Sequence, residues 1–280
     1  MTTMTTASPV PAPRFADLLA AEWLKLRSLR STYWALGVSA LVVIAFNANA
    51  ARADYVDYPH YNTMMRAHFA NNALFDAFTD GAAMILILTA ASVGAVTVVG
   101  EYSTGLIRTT FAAVPDRRAL VSAKAAVVTA VMTVYGAVVA SVSFAATQAI
   151  LAGRHVGLSI SHPGALRVVV ASALLAPVCA LAGMAMGALI RHGATTMVLS
   201  TGLLLLLPTF VTDRYHWTAC VRNALPFHAW ERLVQVDYGH VPYLLAARYP
   251  TTVGGAWAVF GVWWAVAALV TVFAVDRRDV

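Results

Sequence analysis

Six stretches of this chain, at about residues 33–51, 81–100, 119–151, 165–190, 194–211 and 253–275, are dominated by apolar side chains. Each is close to or beyond the roughly twenty residues that an α-helix needs to cross a hydrocarbon layer. Apolar residues follow one another in these runs and do not alternate with period two, as the strands of a membrane barrel would. The fold class that follows is an all-α integral membrane bundle of six transmembrane helices. Composition agrees, since 60% of residues are hydrophobic and 11% charged, against roughly 45–50% and 25% in soluble domains. No Asp or Glu lies inside the runs, and the basic residues within their bounds, Lys124 and Arg167, stand near the starts of the third and fourth. A proton relay or ion-coupled pump would need such an intramembrane group, and an intramembrane enzyme is disfavoured for the same reason.

Residues 1–13 are mostly Thr, Ser, Pro and Ala and read as a disordered tail without the apolar core of a secretory signal. Residues 14–280 read as one transmembrane domain. Its first part, 14–31, places Phe15, Leu18, Leu19, Trp23, Leu26 and Leu29 on one helical face with Asp17, Lys25 and Ser28 opposite. That pattern predicts an elbow helix lying in the membrane interface. Glu22 falls between Leu18 and Leu26 on the apolar face, where a carboxylate against lipid is costly. It is therefore expected to turn toward protein and pair with a basic residue or with backbone donors.

The most informative polar stretch is the island between the second and third runs, residues 101–111 continued through Pro115, Asp116, Arg117 and Arg118 to Lys124. Leu106, Ile107 and Phe111 stand at near-helical spacing within it, and Gly105 beside them permits close backbone approach. A short amphipathic helix fits, and its apolar edge calls for a cover; a soluble partner is the natural one, with Glu101 and Arg108 setting register through charge. Residues 52–80 read as a polar outer loop. The long connection 212–252 interleaves Trp217, Leu225, Phe227 and Trp230 with charged residues and is expected to form short half-inserted helices. Pro208 is expected to kink or end the fifth run.

Placing both termini in the cytoplasm puts eleven of the nineteen basic residues on the inner segments, the asymmetry that orients membrane proteins. The basic residues are scattered and have no aromatic platform among them, so nucleic acid is not an expected partner. No P-loop, His-Glu-x-x-His or Gly-x-Ser-x-Gly motif occurs, and the histidines and two cysteines show no metal-ligand spacing. A stripe of small residues, Ala176, Ala180, Gly183 and Gly187, marks the fourth run as a close-packing face, either within the bundle or toward a second chain. The uncharged polar residues read as bonds between helices, with Gln148 and Asn47 or Asn49 also placed to meet substrate near the outer leaflet.

The segment from Ala21 to Trp34, with the sequence AEWLKLRSLRSTYW, and the island from Glu101 to Lys124 together resemble the membrane subunits of ABC-2 type transporters, actinobacterial ones in particular, and the likeness extends over essentially the whole chain. The resemblance implies a permease subunit in the bacterial cell membrane that forms a homo- or heterodimer with a second permease chain and binds cytoplasmic ABC ATPase subunits. It implies that Glu101, Gly105, Leu106, Ile107, Arg108 and Phe111 belong to the coupling helix that contacts the ATPase, that Glu22, Trp23 and Lys25 belong to the elbow, and that re-entrant outer helices join the fifth and sixth spans. Members of the family export drugs, lipids, glycans or peptides. ATP and magnesium would sit on the separate ATPase, and this chain would bind no cofactor or metal and catalyse nothing itself. A non-transporting subunit that anchors or regulates an ATPase is the alternative with the same architecture.

Overall fold

The computed structural model describes residues 14–106, 116–236 and 248–276, and every regular element among them is helical. Six helical stretches, Arg30–His60, Phe69–Ser103, Arg117–Ala152, Ala165–Ile190, Gly193–Phe210 and Val253–Val275, are long and apolar enough to cross a membrane. In chain order, α1 (Phe15–Ser28) breaks from α2 (Arg30–Asp57) at Leu29, whose ψ of 89° is not helical. Then follow α3 (Thr63–Ala67), α4 (Phe69–Asp76), α5 (Asp80–Ser103), α6 (Arg117–Ala152) and α7 (Ala165–Ile190). The last part comprises α8 (Gly193–Thr201), α9 (Leu207–Phe210), α10 (His216–Asn223), α11 (Pro226–Val234) and α12 (Val253–Asp276).

Helix α7 is the most buried of the spans and packs on α5, α6 and α12. Its small residues explain how. A Cβ on Gly183 would overlap the Ala91 carbonyl of α5, and a Cβ on Gly94 of α5 would overlap the Ala180 carbonyl of α7. The two helices thus meet backbone to backbone, which only glycine at those positions allows. A third close contact falls at a break in the helical hydrogen bonding. Pro177 lies inside α7 and has no N–H for the Ala173 carbonyl one turn earlier; Gly136 of α6 lies against that same carbonyl with no room for a side chain.

One segment differs from the sequence reading, and two others add detail to it. Residues 52–80 are largely helical: α2 runs on to Asp57, and Phe69 and Ala73 of α4 pack with Ala51 and Leu151 into a second small core under Tyr58 and Tyr61. The Tyr58 and Phe69 rings meet edge to face at 4.9 Å. Polar residues on the outer surface of these turns dilute their hydropathy and hide the helices. Pro208 does not end its helix at once. The register shifts just before it, in a π turn at Gly202–Leu206 where the Leu207 N–H bonds the Gly202 carbonyl, and Pro208, which cannot donate, sits in the final turn.

Third, the connection after α9 folds into α10 and α11, and α11 is buried against the bundle along most of its length. Trp230 of α11 donates its indole N–H to the Ser172 hydroxyl of α7 at 3.0 Å. Arg167, near the start of α7, donates to the Leu233 and Gln235 carbonyls, each at 3.0 Å, and so satisfies the end of α11. At the opposite end of the bundle Arg191 closes α7 in a left-handed conformation, stacks over the Tyr102 ring and donates to the Ala274 carbonyl at 3.4 Å. The start of α2 and the last turn of α12 therefore lie at the same end, as an even number of crossings requires.

Candidate functional site

Where α1 crosses the ends of α5 and α6, four charged side chains from three helices meet. Lys124 stands in the second turn of α6, Glu101 in the last turn of α5, and Glu22 and Lys25 one turn apart on α1. The Lys124 ammonium bonds Glu22 Oε2 at 2.5 Å and Glu101 Oε1 at 2.8 Å. Lys25 reaches the other Glu22 oxygen at 2.7 Å and shares Glu101 Oε1 at 3.0 Å. Two carboxylates and two ammonium groups balance. Each carboxylate bridges both lysines, so opening any one pair still leaves every charge with its other partner.

Burial makes the arrangement consequential. The side chains of Glu22 and Lys124 are 3% and 8% exposed, and Glu101 is 14% exposed, whereas Lys25 is 42% exposed. Charges removed from water to that extent persist only when paired. Burial works against the Lys25 ammonium, but the hydrogen bonds it donates to Glu22 and Glu101 outweigh it and hold its pKa above the usual lysine value. Leu18 and Leu26 flank Glu22 on the buried face of α1 and pack toward α6, where Leu18 joins Leu120 and Ala123. The apolar face read from the sequence is thereby split: Leu18 and Leu26 face protein, while Phe15 and Trp23 are exposed.

Among the other sequence-derived residues, Gly105 has φ 71° and open space where a side chain would be. It follows the last turn of α5 and ends that helix, as a left-handed glycine does. Leu106 is 55% exposed. Ile107, Arg108 and Phe111 lie outside the described residues, as do 1–13. Gly183 and Gly187 are buried on the α5 side of α7, which leaves them no surface to offer a second chain. Asn47 is held by Ser143 and Thr79, and Gln148 by the Ala73 carbonyl and the Leu158 N–H, so both join helices within the chain. Asn49 is exposed.

Sequence reasoning missed two groups. Lys124 belongs to the body of α6, and the signal that could have marked it is its place on a helix face otherwise lined by Leu120, Val121, Val127 and Val128. The second group lies at the opposite end. His228 of α11 bonds Glu231 Oε2 through Nδ1 at 2.7 Å and the Pro208 carbonyl through Nε2 at 3.1 Å. Arg222 bonds the same Glu231 oxygen at 3.2 Å. Burial would raise the Glu231 pKa, but the His228 hydrogen bond and the Arg222 charge outweigh it and hold it below the ordinary glutamate value. A Pro208-His228-Glu231-Arg222 chain thus ties α9, α11 and α10 together.

Cys179 is buried, Cys220 exposed, and both are free thiols. No group of His, Cys, Asp and Glu that could hold a metal ion occurs among the described residues. Comparison with protein-family models gives no match to this chain, and comparison with curated proteins gives none either.

Proposed function

We propose that this chain is the permease subunit of an ABC-2 type exporter in a bacterial cell membrane, driven by a separate cytoplasmic ATPase and paired with a second permease chain. The observation that carries the reading is the bond between Glu101 and Lys124. These two residues bracket the polar island, and the 2.8 Å pair between them, locked to α1 by Glu22 and Lys25, gives the island a rigid base. A connection that merely crossed a membrane surface has no need of four bridged charges at its root. A connection that receives force from a soluble partner does, because movement at the island then displaces α1, α5 and α6 together.

In this reading the cytoplasmic side is the end carrying Glu101 and Lys124, both termini face it, and α1 is the interfacial elbow. ATP-driven closure of the paired ATPase subunits pushes on the island, and the path between the two permeases opens outward for a hydrophobic or amphiphilic substrate. α10 and α11 are the re-entrant outer helices.

The test replaces the exposed Leu106 by Asp and asks for co-purification of the ATPase, ATP turnover and export. The permease is expected to insert and fold while ATPase binding or coupling is lost. Normal binding, turnover and export would remove the assignment and favour the anchoring alternative. Orientation is tested separately with an impermeant thiol reagent on sealed cells. Native Cys220 is expected to label from outside and Thr104→Cys, in a Cys220→Ser background, to be protected; the reverse pattern inverts the topology.

A further inference from the structure

A half-open cavity of about 240 Å³ lies beside the four-charge cluster, walled by Leu26 of α1, Val96, Thr97 and Gly100 of α5, and Val127 and Val128 of α6. The four charged side chains form one of its walls, and the rest is mainly apolar. Gly100 helps to keep it open: a Cβ there would meet no atom within 4 Å. Sites that bind small amphiphiles combine these two features, an apolar hollow between helices and a few polar groups at one edge.

The surroundings decide the occupant. On α1 and the first turn of α2 the outward side chains are Phe15, Trp23, Tyr33 and Trp34, and Arg27 and Arg30 are exposed beside them. Aromatic rings interleaved with arginines settle at the level of lipid headgroups. The cavity lies between that layer and the ends of two spanning helices, where acyl chains begin. Residues 14–31 hold four bases, Arg14, Lys25, Arg27 and Arg30, against two acids, Asp17 and Glu22. Lys25, the most exposed member of the cluster, has three N–H groups and bonds two carboxylate oxygens, which leaves a donor for an oxyanion.

We infer that the cavity is a binding site for one acyl chain of an anionic phospholipid, whose phosphate is held by Lys25 with the exposed arginines of the α1–α2 break. The chain fills the hollow under α1, and the headgroup completes the coordination of Lys25. The site requires a membrane but not an ATPase or a transported substrate, so it stands apart from the exporter reading.

The experiment uses the full chain alone in phosphatidylcholine nanodiscs doped with phosphatidylglycerol that carries a photoreactive diazirine in its acyl chain, with adducts mapped by peptide mass spectrometry. Adducts are expected on the peptides containing Val96–Gly100 and Val127–Val128, and the same probe on phosphatidylcholine is expected to label them less. Gly100→Phe fills the hollow and should abolish those adducts while labelling of α12 around Trp264 is unchanged; Thr97→Phe repeats the test should the first variant not fold. Lys25→Gln should erase the preference for the anionic probe. Undiminished adducts in a folded cavity-filling variant, or equal capture of the two probes by the unsubstituted chain, would overturn the inference.

Discussion

Helix α5 takes part in two contacts of opposite kind. Along most of its length it meets α7 backbone against backbone, at Gly94 and Gly183, with no room for a side chain. In its last turn it meets α1 and α6 through long charged side chains, beside a cavity. The first contact is a rigid seam, because interiors packed to that density transmit displacement and do not absorb it. The second is a joint whose parts are held by charge and bordered by free volume. Seam and joint on one helix suit the proposed function, in which displacement entering at the Glu101 end would pass along α5 toward the centre of the bundle.

The largest effect expected is at the joint. Lys124→Ala leaves Glu22 buried without its closest partner and should cost about 3–5 kcal/mol, since breaking a buried ion pair strands a charge. Thermal unfolding in detergent measures it. Replacing Lys124 by Met together with Glu22 by Leu should recover much of the loss, because replacing a buried pair with apolar residues is often neutral. Failure of that rescue would mean that the cluster is not an isolated electrostatic unit.

At the seam, Gly183→Val should cost about 1–3 kcal/mol through overpacking. The loss is expected to differ in kind from that at Lys124. No compensating substitution on α5 can relieve it, since the obstacle is the Ala91 backbone. A Gly183→Val chain as stable as the unsubstituted one would show that the two helices can separate, and the contrast between seam and joint would dissolve.

The two regions were unequally legible in the sequence. The spans follow from apolar length, and the fourth run, 165–190, coincides with α7 to the residue. The seam was half legible: the stripe at Gly183 and Gly187 announced close packing, but its partner helix did not show, because small residues fit a neighbour in the same chain or in another equally well. At the joint, the misplaced carboxylate of Glu22 announced that a partner was needed. Its partner Lys124 lies 102 residues away, and sequence separation of that size carries no distance. Lys124 was grouped with the polar segment it follows, although it is part of α6. Gly105 also has the positive φ that ends α5, a use that its lack of a side chain did not by itself announce.

At the far end of the bundle, Glu231 provides a third kind of contact and a smaller expected effect. Glu231→Gln removes the carboxylate that His228 and Arg222 share and should cost about 1.5 kcal/mol, the low end for a hydrogen bond to a charged group. The sign of its pH dependence is fixed. The folded-state pKa is held below the unfolded value, so the stabilisation is present above the ordinary glutamate value of 4.5 and is lost as pH falls through the folded-state pKa. Stability measured against pH on the acid side should therefore be flatter in Glu231→Gln.

The smallest effect sharpens the comparison most. Lys25 and Lys124 bond the same two carboxylates at similar distances and differ chiefly in exposure, 42% against 8%. Lys25→Ala leaves Glu22 and Glu101 with Lys124, and the ion pairs it removes are open to water, so it should cost under about 1 kcal/mol. Salt tells the two lysines apart: raising ionic strength should erase the Lys25 effect, because exposed charges are screened, and leave the Lys124 effect in place. Alkali does so again. The Lys25 pKa is raised on folding, so its contribution is complete below the ordinary lysine value of 10.5 and is lost as pH rises through the folded value. An equal loss from Lys25→Ala and Lys124→Ala, insensitive to salt, would mean that α1 stays closed over the cluster and that the joint is as sealed as the seam.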